Sequence, residues 1–214
     1  MEDKDKVASR YDKWTFFYDK IDNFPLIGRP QKMWKDNSIK ELSLSGEERV
    51  LDIGTGTGQI LPKISSYLDG GKVIGTDVSK GMLRRSKRRI ENEGISRTAC
   101  VKYDDIENSR FPDNYFDRII ATFTFTTLPN PGKASEECAR ILKDDGEMIV
   151  LDTGKPANRA ALPLFIPMML SAKVFGRTHM DRDIEHILKS HFNVERINSH
   201  MLGMVYTLRC KIKK

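Results

Sequence analysis

Cysteine is scarce in this chain. Cys100, Cys138 and Cys210 are the three present in 214 residues, odd in number and far apart. That excludes a disulfide framework and a cysteine-based metal site, and a reducing cytoplasm is the expected setting. Long apolar runs are missing as well, so no bilayer-spanning helix is expected. The longest candidate, residues 160–172, is broken by Pro163 and Pro167. The first six residues are charged with both signs and lead into no apolar core, which argues against a signal peptide. Neither an internal repeat nor a low-complexity tract interrupts the chain.

What is present describes a globular domain. Hydrophobic residues make up 39% and charged residues 31%, enough for one α/β domain with a sizeable core and a heavily charged surface. The net charge of +6 permits an anionic partner without requiring one.

The most informative stretch is Val50-Leu51-Asp52-Ile53-Gly54-Thr55-Gly56-Thr57-Gly58-Gln59. Val50, Leu51 and Ile53 read as a strand buried on both faces, running into a loop with glycine at alternate positions. Glycines there let the backbone turn sharply and let a ligand approach closely. A following helix would aim its free N–H groups at that ligand. The dinucleotide fingerprint G-x-G-x-x-G fails, because its third glycine would fall at Gln59. No Lys-Ser or Lys-Thr closes a phosphate loop either. Asp52 would repel a pyrophosphate but suits a cation. S-adenosyl-L-methionine carries a sulfonium and an ammonium and no phosphate, so it fits the charge.

Further acids fall at comparable places. Residues 72–77 form a second strand ending in Asp77, at the distance where a βαβ unit brings its second strand end beside the first. Asp77 suits a ribose, accepting both hydroxyls, or the cap of the helix that follows; Ser79 is able to cap while Asp77 binds. A third strand, residues 99–103, ends at Asp104-Asp105-Ile106, one acid of which suits an adenine amino group. Residues 118–121 form a fourth strand. Thr122-Phe123-Thr124-Phe125-Thr126-Thr127 then reads as a pocket-lining loop despite its alternation, given its threonines and Pro129. A helix over 132–142, a stop at Lys143-Asp144-Asp145-Gly146 and a fifth strand over 147–151 follow. Successive strand–helix units favour a parallel sheet. A short helix over 181–190 and a hairpin around Leu202-Gly203 close the chain, with an antiparallel strand expected at one edge. Upstream, residues to about 42 read as two helices, the second opening at Arg29-Pro30 and carrying Met33, Trp34, Ile39 and Leu42.

With these motifs in order, the chain resembles class I S-adenosylmethionine-dependent methyltransferases. It is most similar to the branch holding ubiquinone/menaquinone-biosynthesis and phosphatidylethanolamine methyltransferases. Residues 50–58 and 75–83 carry the resemblance, extended by Phe111-Pro112-Asp113-Asn114-Tyr115-Phe116-Asp117 and Ala139-Arg140-Ile141-Leu142-Lys143. It implies an α/β, Rossmann-like methyltransferase fold: a seven-stranded, mostly parallel sheet with an antiparallel last strand between helix layers. One domain is expected over 1–214, with a helical lid at 1–45, a cofactor core at 46–152 and a substrate cap with closing hairpin at 153–214.

The resemblance also implies roles. Gly54, Gly56 and the Gly58 backbone hold the methionine moiety, with Asp52 and Thr55 in the same loop among the cofactor contacts. Asp77 takes the ribose, Val78 and Met82 sandwich the adenine, and Asp105 with Ile106 reads its edge. Thr122 approaches the amino-acid end, and Tyr11 and Tyr18 match the aromatic pair of the lid. The family's usual Pro-Gly-Gly is Asp144-Asp145-Gly146 here, and the segment after Leu151 diverges.

The implied reaction is in-line attack of a substrate nucleophile on the sulfonium methyl, with no metal. A general base is needed only if that nucleophile must lose a proton; His179, His186, His191 and His200 are candidates, none singled out. An acceptor motif such as Asn-Pro-Pro-Tyr is missing, which counts against adenine or glutamine-amide methylation. The expected acceptor is a small molecule or lipid-like compound, such as a quinone precursor or phospholipid head group. Peripheral membrane contact would run through the basic run Arg84, Arg85, Lys87, Arg88 and Arg89 and the apolar segment 160–172. The same basic run reads more plainly as a solvated helix face. It is also the one feature favouring RNA as an alternative acceptor, and nucleic acid is not the expected partner. A non-catalytic cofactor-binding subunit is the remaining rival, opposed by the intact loop and acids.

Overall fold

The computed structural model describes residues 25–157, 163, 166 and 178–213. Tyr11 and Tyr18 lie outside the described residues, as does the apolar segment 160–172 apart from Pro163 and Ile166. Helix α1 spans Pro25–Lys40, β1 Arg49–Ile53, α2 Leu61–Ser65, β2 Lys72–Asp77, α3 Lys80–Asn92 and β3 Ala99–Tyr103. They are followed by β4 Phe116–Thr122, α4 Pro131–Ile141, β5 Leu142–Thr153, α5 Ile184–Leu188, β6 Phe192–His200 and β7 Val205–Ile212.

The strands form one seven-stranded sheet in the order β3-β2-β1-β4-β5-β7-β6. β1 through β5 pair in parallel, and β7 is antiparallel to both β5 and β6. The last strand is antiparallel, as expected, but it is not at the edge. β7 inserts between β5 and β6, leaving β6 outermost. Burial explains the placement: Val205, Tyr206, Thr207, Leu208 and Cys210 are buried, whereas β6 alternates and presents Asn193, Glu195 and Arg196 to solvent.

Alternation along the strands divides the core between two faces. Leu51, Ile53, Ile119, Met148 and Leu208 pack with Cys138 and Ile141 of α4 and Ile184 and Leu188 of α5. Val50, Val73, Ile120 and Ile149 pack on the other face with Ile39 of α1, Leu61 and Ile64 of α2 and Ile90 of α3. Asp52, one residue from Leu51 and from Ile53, therefore shares the α1 side of the sheet with Val50.

Four elements differ from the sequence reading. Helix α1 starts at Pro25, not at Arg29-Pro30, and carries Pro30 inside it. Pro30, the sixth residue of the helix, has no N–H to give to the carbonyl of residue 26, and its ring crowds that carbonyl. Helix α2 is five residues long with Pro62 in its first turn, shorter than the expected run to Leu68. β5 begins already at Leu142: Phe116 pairs with Leu142 and Arg118 with Glu147, so residues 143–146 loop out of the ladder. Gly146 permits this, since a β-carbon there would fall 2.6 Å from Leu142 Cδ1. Helix α5, capped by the Asp183 side chain on the His186 amide, covers less than the expected 181–190.

Two of the motifs that carry the family resemblance dock on each other. Arg140 donates to the Phe111 and Ser109 carbonyls and to Asp113 and Glu137. The Asn114 and Tyr115 amides donate to the Arg140 and Ile141 carbonyls. Lys143 pairs with Asp117. Their role is to fasten the entry of β4 to α4, far from the sheet rim.

Helix α1 rides along β7. Trp34 packs with Val205 and Leu151, the Ser38 and Thr207 hydroxyls lie 3.3 Å apart, and Arg209 donates to Glu41 at 2.7 Å. Steps of three and four residues on the helix match steps of two on the strand, because 1.5 Å per helical residue meets about 3.3 Å per strand residue. Among the described residues no helix is long and apolar enough to cross a membrane.

Candidate active site

The strand order reverses at β1, whose neighbours are β2 and β4. In an open parallel sheet that reversal opens a crevice at the strands' carboxyl ends. Gly54, Gly56, Asp77, Asp105 and Thr122 all leave the sheet on this rim.

The glycines have separate tasks. Gly54, Gly56 and Gly58 all have positive φ, +65°, +54° and +75°. A β-carbon on Gly54 would meet Thr124 at 2.7 Å, and one on Gly58 would meet Ser86 Oγ at 2.3 Å. At Gly56 the nearest atom would be 4.0 Å away. Gly54 and Gly58 thus serve close packing, against the loop after β4 and against α3. Gly56 faces the open crevice. Because α2 begins only at Leu61, the amides of the turn rather than a helix N-terminus border the crevice, and those of Thr55, Gly56 and Gly58 donate to the Thr76 carbonyl, Asp77 and the Thr55 carbonyl.

Around this loop the acids are individually held. Asp77 accepts from the Gly56 amide at 3.0 Å and the Ser79 amide at 2.8 Å, while the Ser79 side chain caps α3 by accepting from the Met82 amide. Asp77 therefore ties the glycine loop to β2 and needs no capping role in α3. Asp104 is folded into its own turn, accepting from the Ser109 hydroxyl and the Arg110 amide, whereas Asp105 caps the turn Ile106–Asn108 at the rim. Val78 is half-buried, and Met82 and Ile106 are buried beside them. Thr55 turns inward: its side chain lies against Gly75, and its amide donates to the Thr76 carbonyl.

Asp52 is 1% exposed, and its Oδ2 has no hydrogen-bond partner among the described residues. Burial is the main cause that raises its pKa to about 7, and the Asp77 charge adds to it. The nearby Thr55 hydroxyl, which lacks full hydrogen-bond geometry, and the Lys35 charge pull the other way. A buried carboxylate with an unused oxygen, beside a glycine loop, is a fitting receptor for a cation.

Two rim groups, Lys35 and Asp152, were not singled out in the sequence. Lys35 of α1 donates to Gln59 Oε1 at 2.8 Å and lies 5.9 Å above the Phe123 ring. Phe123 has φ +56°, strained for a residue with a β-carbon, and packs with Trp34, Leu151 and Val205. Asp152, fully buried at the end of β5, accepts from the Thr126 hydroxyl at 2.6 Å and amide at 3.1 Å. Burial raises its pKa to about 6, and the Thr126 and Thr153 bonds oppose the rise. Thr124 donates to the Ile53 carbonyl, so the loop from Thr122 is stitched to both neighbouring strands. It is a loop, as its threonines and proline indicated. No local pattern marks Lys35 or Asp152; only their positions near Trp34 and at a strand's carboxyl end hint at them.

The histidines separate. His179 donates its amide to the Thr126 carbonyl, and His200 stacks on Trp34 at 5.5 Å, both at the rim. His186 is exposed on α5, and His191 meets Ser135 on the α4 side. Of the basic run on α3, Arg89 turns inward and donates to the Thr57 carbonyl, propping the glycine loop, while Arg84, Lys87 and Arg88 are exposed.

The chain is similar to known methyltransferases. Residues 51–150 match the model of the methyltransferase domain family. The ubiquinone/menaquinone biosynthesis C-methyltransferase UbiE of Coxiella burnetii is 31% identical over 153 residues, 71% of this chain and 61% of that protein. The chain thus spans about three fifths of the length of that relative. UbiE of Pseudomonas fluorescens is 28% identical over 206 residues, covering 92% of this chain and 80% of its own. A solved methyltransferase structure from Aquifex aeolicus superposes with a TM-score of 0.62 at 22% identity, covering 100% of each chain.

Proposed function

With residues 51–150 belonging to the methyltransferase domain family and the chain resembling its ubiquinone/menaquinone branch, we propose that the protein transfers a methyl group from S-adenosylmethionine to a small-molecule or lipid-like acceptor. The observation that carries the reading is the open Gly56, its amide held by Asp77, in the loop that follows the buried Asp52 with its orphaned oxygen. When bound, S-adenosylmethionine supplies a methyl group already activated by its positive sulfur.

The chain's own residues then bind and align. The amides around Gly54 and Gly56 border the amino-acid end, with Asp52 as the anion beneath it. Asp77 takes the ribose hydroxyls on its remaining lone pairs, since each carboxylate oxygen accepts more than one bond. Val78, Met82, Asp105 and Ile106 surround the adenine. Thr122 and the strained Phe123 bound the side from which an acceptor arrives, and Phe123, backed by the buried Trp34, Leu151 and Val205, gives that side an apolar wall. Such a wall excludes water and favours a flat or lipid-like acceptor over a highly charged one. A quinone precursor fits it, in keeping with the named activity of the UbiE relatives. His179 and His200 are the histidines placed to accept a proton if the nucleophile must lose one. We assign Tyr11 and Tyr18 to the lid, the region 153–214 to the acceptor cap, and the site of action to the cytoplasm with peripheral membrane contact.

Incubation with methyl-labelled S-adenosylmethionine and fractionated cell extract tests the acceptor. Label in the organic-soluble fraction is the expected result; label confined to RNA would overturn the assignment. Liposome co-sedimentation with Arg84, Lys87 and Arg88 reversed in charge tests the membrane contact. Arg89 is left intact because it supports the glycine loop. Absence of binding in both proteins would remove the membrane from the reading.

A further inference from the structure

Lys35 does not belong to the sheet, yet it reaches the site. Helix α1 is held along β7 by Trp34, Ser38 and Glu41, which fixes the next side chain after Trp34 toward the glycine loop. Its ammonium donates to Gln59 Oε1, directly past Gly58, and stands over the ring of Phe123, directly past Thr122. These contacts place one cation between the two loops that leave β1 and β4. Asp52, on the same side of the sheet, is a buried acid on which this charge acts. The lysine hydrogen-bonds to the Gln59 amide, while Asp52 Oδ2 has no hydrogen-bond partner among the described residues.

A cation and a buried acid that feel each other's charge beside a glycine loop match a zwitterion. An α-amino acid carries its ammonium and carboxylate on one carbon, and each charge needs an opposite partner when water is displaced. Asp52 answers the ammonium. Among the cations that the geometry places by the loop, Arg89 is engaged by the Thr57 carbonyl on the α3 side, which leaves Lys35 on the crevice side. The strained backbone of Phe123 supports the arrangement, because it holds an aromatic face beneath the ammonium.

We propose that Lys35 holds the carboxylate of the cofactor's amino-acid end, exchanging its bond to Gln59 for an ion pair on binding. The assignment rests on S-adenosylmethionine being the cofactor, and it makes α1 part of the binding site. Cofactor occupancy then reports on the packing of α1 against β7.

Titration calorimetry with two ligands tests it: S-adenosylmethionine and its decarboxylated form, which lacks only the carboxylate. The wild-type protein should bind the decarboxylated form at least tenfold more weakly. Lys35→Met should weaken S-adenosylmethionine at least tenfold and change the decarboxylated form by less than twofold. Lys35→Arg should restore most of the affinity. Equal losses for both ligands would overturn the proposal, because the lysine would then merely prop Gln59 and its loop. Unchanged affinity in Lys35→Met would overturn it too. A wild-type protein that binds neither ligand would sink the cofactor reading itself, an outcome distinct from either.

Discussion

Gly58 and Ser86 are in direct contact, so that a β-carbon on Gly58 would fall 2.3 Å from Ser86 Oγ and 3.1 Å from Ser86 Cβ. Ser86 is fully buried on α3. The third glycine of the loop therefore lets helix and loop close together, and the second leaves room for a ligand. Gly58→Ala should destabilise the fold by about 2–4 kcal/mol, from overlap together with a left-handed backbone. Gly56→Ala should cost about 1–2 kcal/mol through its backbone alone and weaken cofactor binding at least tenfold. Chemical denaturation paired with calorimetry checks both; equal effects of the two changes on affinity would refute the division.

Asp77 ties the Gly56 amide to β2, and we assign it the ribose as well. Asp77→Ala should weaken S-adenosylmethionine and adenosine alike, each by more than tenfold. Calorimetry with both ligands is the measurement, and retained adenosine affinity would contradict the ribose assignment.

The two buried carboxylates set the pH response. Asp52 rises from 3.8 to about 7 and Asp152 from 3.8 to about 6 on folding. A raised acid binds its proton more tightly when folded, so its contribution is full below about pH 4 and lost as pH climbs through the folded value. Melting temperature of the ligand-free protein should fall between about pH 4 and 7. Asp52→Asn should remove the part of that fall between pH 6 and 7, where Asp152 has already ionised. The stability at stake is on the order of a few kcal/mol. Cofactor binding has the opposite sign: a cation favours ionised Asp52, so affinity should rise with pH up to about 7 with release of a proton. The charges facing Asp52 are Lys35, which favours ionisation, and Asp77, which opposes it. Calorimetry in buffers of different ionisation enthalpy measures the proton, and Asp52→Asn should abolish its release.

Arg140 fastens the turn at Phe111 to α4 with bonds to two carbonyls and two carboxylates. Arg140→Ala should destabilise the fold by about 2–3 kcal/mol, since its charge-assisted bonds, all but the exposed one to Asp113 partly buried, are lost together. Cofactor affinity of the folded fraction should stay within about twofold. A large loss of affinity at unchanged stability would show that this motif acts at the site.

Local pattern was enough for much of the fold. β2 and β3 fall at the residues where apolar runs meet turn residues, because a buried strand's signature is contained in five or six neighbours. The glycine loop, Asp77 with its capping partner Ser79, and the threonine loop after β4 were legible for the same reason: each is a short segment with its own backbone chemistry. By itself the sequence determined a mostly parallel sheet with acids and glycines along one rim, and it pointed to a cationic, nucleoside-like ligand.

The tertiary structure decided what depends on distant residues meeting. Lys35 and Gln59 are 24 residues apart, Thr126 and Asp152 are 26 apart, and Ser38 and Thr207 are 169 apart. The loop-out at residues 143–146 and the insertion of β7 inside the sheet follow from register and burial between whole strands. No local periodicity records such pairings, because a side chain's partner across the core is chosen by packing after the elements have formed. The split among the three glycines has the same origin: alike in sequence, they differ only in what stands opposite each β-carbon.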